Sequence, residues 1–188
     1  MPLPKHNAYT IEDIYALPDG QRAELIDGQI YDMAPTSRIH QKISTQLVSC
    51  INHYISEHHG NCEVYAAPFA VFLNKDNKIY VEPDVSVICD PDKLDDKGCN
   101  GAPDWIIEIV SPSSQHLDYL TKLLKYRTAG VREYWIVNPL KDTIQTYSFE
   151  GEENSVEGEE NSVQYTFDES IPVTIYSDFK ICIADLLK

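Results

Sequence analysis

The run "WIIEIVSPSS", residues 105–114, decides how this chain folds. Trp105, Ile106, Ile107, Ile109 and Val110 read as a strand buried on both faces, the pattern of a central strand in a sheet covered on both sides. Ser111 to Ser114 break it. Residues 115–129 then read as a helix closed by Gly130, and "REYWIVN", 132–138, reads as a second apolar strand stopped by Pro139. A strand–helix–strand unit of about 35 residues predicts two parallel strands joined by a right-handed crossover. One residue does not suit this reading. Glu108 sits in the middle of the apolar run, and a carboxylate buried there is costly unless something pairs with it. A salt bridge to Arg132 or Lys122 is one answer and a bound cation is the other.

Outward from this unit, "RAELIDGQIYDM" carries Asp27-Gly28 between two short alternating runs, a hairpin signal. "TIEDIYALPDG" reads as a short helix capped by Thr10 with Asp13 three residues on. Ile39, Ile43, Leu47, Ile51 and Ile55 recur every fourth residue, one face of a long helix that starts after Ser37 and stops at Gly60. "CEVYAA", "FAVFL" and "KIYVEPDVSVIC" read as strands, with a turn at Asn74–Asn77, and residues 90–103 as a polar loop. "TIQTYSF", "SVQYTF" and "IPVTIY" read as antiparallel strands before a terminal helical turn. Between the first two, a seven-residue unit is written twice, from Gly151 and from Gly158. It reads as a solvated hairpin insert at about 150–163.

The 188 residues suit one domain. With 43% hydrophobic and 24% charged residues the chain reads as an ordinary globule. No apolar run is long enough for a membrane span or a leader, so a cytoplasmic location is expected. The five cysteines form no C-x-x-C pair and read as free thiols. The formal charge is −15, and without the six glutamates of residues 150–160 it is still −9. Such a chain lacks the basic footprint of a tight, unassisted DNA binder. The excess suits carboxylates gathered around a cation.

Asp84 shares the predicament of Glu108, since it lies among Val85, Val87 and Ile88 behind Pro83. Two anionic carboxylates on neighbouring strands repel unless one is protonated or a cation bridges them. Mg²⁺ or Mn²⁺ is the oxygen-liking choice. Asp118, Lys122 and Tyr126 follow at steps of four, on one helix face that the crossover returns across the sheet. Lys122 would stabilise charge on a phosphoryl oxygen or orient a metal-bound water, and Lys125 is a modest rival for that part. Glu24 reads first as an exposed strand residue, with a third acidic ligand as the alternative. His40 opens the long helix, near the site or merely structural. His53, His58 and His59 read as solvated. Ser111, Ser113 and Ser114 read as helix caps, not as a nucleophile loop.

Asp84, Glu108 and Lys122 resemble the PD-(D/E)XK nuclease signature in its migrated-lysine form, with a literal Pro83-Asp84. The lysine of the usual tripeptide would fall at position 110, which is Val110 here. More narrowly, "AELIDGQI", His40, "EPDVSVI", "WIIEIVSPSS", then Asp118, Lys122 and Tyr126, and "GVREYWIVNP" resemble the Uma2 (DUF820) family, over about residues 10–140. The resemblance implies an α/β (α+β) restriction endonuclease-like core, a mixed sheet flanked by helices with antiparallel strands added at both ends, as a single domain over 1–188. It also implies Mg²⁺-dependent hydrolysis of DNA and a homodimer. Asp84 and Glu108 would be the metal ligands, Lys122 the third catalytic residue, and Glu24, His40, Asp118 and Tyr126 accessory. The rival expectations are an inactive nuclease-like binding module and a phosphodiesterase acting on small nucleotides.

Overall fold

The computed structural model describes residues 8–74, 77–112, 114–115, 117–150 and 161–188. Helix α1 (Ile11–Tyr15) is followed by the hairpin β1 (Ala23–Ile26) and β2 (Gln29–Asp32), then the 20-residue α2 (Arg38–Glu57). Next come β3 (Glu63–Ala66), β4 (Val71–Phe72), β5 (Val85–Ile88), β6 (Leu94–Asp95), β7 (Gly98–Asn100) and β8 (Trp105–Ile109). A wide helical turn over Leu117–Lys122 runs into α3 (Leu123–Ala129). The chain ends with β9 (Glu133–Asn138), β10 (Thr143–Ser148), β11 (Asn161–Thr166), β12 (Ile171–Pro172), β13 (Lys180–Ile181) and α4 (Ile183–Leu186).

Six strands form the main sheet in the order β11-β10-β9-β8-β5-β3. The β8–β9 pair is parallel, as the crossover requires, and the other pairs are antiparallel. Both centre strands are buried along their whole length. Alternation sorts their side chains onto two faces. One face carries Val85, Val87, Trp105, Ile107, Ile109, Trp135 and Val137 under the isoleucine–leucine stripe of α2 and the C-terminal strands. The other carries Ile88, Ile106, Tyr134 and Ile136 under Leu123 and Tyr126 of α3, with Ile26, Val71 and Val81 beside them. Each fully buried aliphatic chain contributes about 1.5–3 kcal/mol. The stripe of α2 thus holds that helix far more firmly than its local propensity would.

Local signals are met where they were sharp. Asp27 and Gly28 both have positive φ (52° and 75°), the geometry of the tight hairpin turn. Ser37 caps α2 by accepting the His40 N–H, and Gly130 closes α3 at φ 95°. Ser111 and Ser114 bond each other ahead of the helical turn, in keeping with a capping role. Among the described residues, no helix is long and apolar enough to cross a membrane.

Four expectations need correcting. Residues 90–103 are not a plain loop: β6 and β7 pair there, and β7 joins β4 in parallel. The strand expected over "KIYVEPDVSVIC" is ladder only from Val85. Tyr80 and Val81 make isolated bridges to Leu25 and Val71 instead, because Pro83 cannot donate to a continuous ladder. The helix expected over 115–129 opens as a π-turn at 117–122 before it becomes α-helical. Finally, Cys62 and Cys89 form a disulfide, while Cys50, Cys99 and Cys182 are free. The β3–β5 register that pairs Glu63 with Ile88 sets Cys62 opposite Cys89, a proximity that sequence spacing does not reveal. Of the insert expected at about 150–163, residues 151–160 lie outside the described residues, while 161–163 already belong to β11, which pairs with β10 as a hairpin.

Candidate active site

The β5–β8 ladder opens with Val85 opposite Ile107, and Asp84, the residue just before it, is near enough to Glu108 to raise that carboxyl. Asp84 stands just where β5 begins, behind Pro83. Its Oδ2 accepts the backbone N–H of Ile109 at 2.8 Å, so the carboxylate occupies the ladder position that the strand leaves open. The same oxygen lies 3.1 Å from Nε2 of His40, which is buried in the first turn of α2. Nδ1 of His40 is buried with no partner among the described residues.

Glu108 is buried, and its partner is Lys122. The ammonium lies 2.9 Å from Glu108 Oε1, 2.8 and 2.9 Å from the two oxygens of Glu24, and 3.6 Å from Asp118 Oδ1. Tyr126 Oη donates to the same Glu108 Oε1 at 2.7 Å. Both donors therefore converge on one oxygen of Glu108. Glu24 also accepts the backbone N–H of Glu82 at 3.0 Å, and Tyr134 Oη donates to the Asp118 carbonyl. The π-turn widens the helix where Asp118 and Lys122 are carried, a feature frequent at functional sites.

The structure thus brings together Glu108, Lys122, Asp118, Tyr126 and Glu24, with Asp84 and His40 beside them. Glu24 corrects the reading of an exposed strand residue, since it is 3% exposed. All four residues of β1 are buried, so alternation in so short a strand does not report which way Glu24 points. Its partner is 98 residues away. Lys125 points elsewhere, to Asp27 at 2.6 Å. Arg132, the other suggested partner for Glu108, bonds Asp104 and Glu150 instead.

Three buried carboxylates surround a single buried ammonium. Desolvation pushes Glu108 up to about 8; Lys122 pulls it back, while Asp118, Asp84 and Glu24 add to the rise. Asp118 is raised by the same burial, again opposed by Lys122. Burial alone would lower Lys122, but Glu108, Glu24 and Asp118 raise it well above its ordinary value, so it stays charged. The cluster is short of positive charge, and only a proton or a further cation can supply it. Among the described residues, no three His, Cys, Asp or Glu side chains form a metal cage. The ammonium fills the middle of the acids. Mg²⁺ commonly takes only one or two carboxylates, with water and substrate phosphate completing its shell. Asp84 and Glu108 fit that demand.

The profile of a family described as "Uma2: Putative restriction endonuclease" matches residues 11–175. An uncharacterised protein of Synechocystis sp., slr1290, is 30% identical over 129 residues, 68% of this chain and 66% of that protein, so the match spans just under two thirds of the relative. A crystal structure from Anabaena variabilis, titled a "putative nuclease belonging to DUF820", superposes with a TM-score of 0.74. It covers 95% of this chain and 97% of the other at 20% identity, a likeness of fold.

Proposed function

The chain belongs to the Uma2 family of putative restriction endonucleases, and on that premise we propose that it is a Mg²⁺- or Mn²⁺-dependent endonuclease that hydrolyses phosphodiester bonds in DNA. The observation that carries this reading is the closeness of Asp84, just before β5, to Glu108 and its partner Lys122, in a cluster that is short of positive charge. Asp84 and Glu108 would hold the cation. When bound, it would acidify a water and polarise the scissile phosphate.

The other groups set up that chemistry. The Ile109 N–H and His40 hold Asp84 by Oδ2, which leaves Oδ1 as the oxygen these two do not occupy. Lys122 and Tyr126 hold Glu108 by Oε1 in the same way. Lys122 carries the positive charge of the cluster, and its Nζ is the group that would stabilise negative charge building on a phosphoryl oxygen. Glu24 and Asp118 keep that lysine protonated and oriented.

The test is cleavage of supercoiled plasmid and of single-stranded oligonucleotides with Mg²⁺, Mn²⁺ or EDTA. Cleavage should require the cation. Asp84→Asn should lower the rate by roughly 10²-fold or more, with little change in melting temperature because Asp84 is the most exposed of the acids. Equal cutting by Asp84→Asn and the parent would sink the assignment. No cleavage of any substrate would leave a nuclease-like binding module.

A further inference from the structure

We propose that the site takes single-stranded DNA and seats an unpaired base on the stacked rings of Tyr65 and Phe69; this rests on the hydrolytic reading above. Tyr65 lies opposite Ser86 in the β3–β5 register, so it shares a face with Ser86, two residues after Asp84. The main-chain bond from Ala67 N–H to the Asp84 carbonyl, 3.2 Å, ties the end of β3 to the acid. The rings of Tyr65 and Phe69 stack at 4.1 Å with 7° between their planes, and both are partly exposed. Both pack on the core face that carries Ile88 and Ile106, the face to which Glu108 belongs by alternation. Tyr31, also partly exposed, lies opposite Glu24 and packs on the same cluster. Among the described residues, β3 is an edge strand of the main sheet.

Charge argues for bases over phosphates as the handle. Duplex binders gain affinity from Lys and Arg on phosphates, and this chain is at −15. Three cations near the site are already engaged by its own acids: Lys122 by Glu24 and Glu108, Lys125 by Asp27, and Arg22 by Glu82 at 2.9 Å. A partly exposed aromatic pair on the segment bonded to the Asp84 backbone offers binding that needs no net positive charge. Only an unpaired base presents its face for stacking.

The experiment uses a single-stranded oligonucleotide carrying 2-aminopurine, whose fluorescence is quenched by stacking, with Ca²⁺ in place of Mg²⁺. Wild-type protein should quench it, with less than about tenfold weakening between 50 and 200 mM KCl. Tyr65→Leu/Phe69→Leu should weaken binding by about tenfold or more at an unchanged melting temperature; if that variant fails to fold, Phe69→Leu alone is read. Undiminished quenching by the variant, or equal competition by a duplex of the same sequence, overturns the proposal. Quenching without cleavage in Mg²⁺ or Mn²⁺ supports the stacking site and removes the hydrolytic reading. Cleavage of duplex at full rate by the variant does the reverse.

Discussion

Lys122→Met is expected to abolish cleavage and to cost the folded protein about 3–5 kcal/mol at pH 8. The side chain is buried, and its ammonium serves Glu24, Glu108 and Asp118 together. Methionine fills similar volume, so the loss is one of charge and not of packing. Three acids then face each other without a cation, and each must take a proton or remain unpaired in a dry site. The pH dependence has a definite sign. Carboxylates whose proton affinity is raised in the folded state favour folding at low pH, and that contribution is lost as pH rises through the folded value. Removing Lys122 raises those affinities further, so the penalty should be smaller at pH 5 than at pH 8. Urea unfolding at the two pH values in EDTA measures it. A loss below about 1 kcal/mol at pH 8, or one independent of pH, would show that the lysine is not what neutralises these acids.

Glu108→Gln should separate stability from activity. Glutamine keeps the shape and an oxygen able to accept from Lys122 and Tyr126, but it removes one of the three negative charges around the ammonium. The wild-type carboxyl is raised to about 8, chiefly by burial. Its contribution is therefore present below about 4.5, the ordinary value, and drains away as pH rises through about 8. Gln lacks that loss, so the variant should gain on the parent steadily between pH 5 and pH 9 in EDTA. Cleavage should nevertheless fall by roughly 10³-fold, because the amide is a poor substitute for an anionic metal ligand. A variant that cuts DNA normally would reduce Glu108 to a structural partner of Lys122.

The strand–helix–strand unit was legible because its signals are local: apolar runs of strand length, Gly130, and a helix of the right span. The adjacency of the strands that carry or follow Asp84 and Glu108 was legible for a different reason. A carboxylate set in a run of core residues is an inconsistency, and two such inconsistencies on neighbouring strands point at each other. Glu24 was not legible, because its burial depends on packing the first hairpin against a helix almost a hundred residues later. The Cys62–Cys89 pairing was hidden for a related reason: it is set by the register of two strands, to which composition and spacing are blind. Lys122 emerged as the salt-bridge partner of Glu108 that the apolar run demanded. That pairing answers only part of the electrostatic problem, since the acids still outnumber it.

The most direct measurement is a calorimetric titration of Mn²⁺ into the wild-type protein and into Asp84→Asn at pH 7, in two buffers of unequal ionisation enthalpy. The account predicts one binding site in the wild type, a buffer-dependent heat that reports proton release from the acids, and at least tenfold weaker binding in the variant. Absence of binding up to millimolar Mn²⁺, or identical binding by the two proteins, would contradict it.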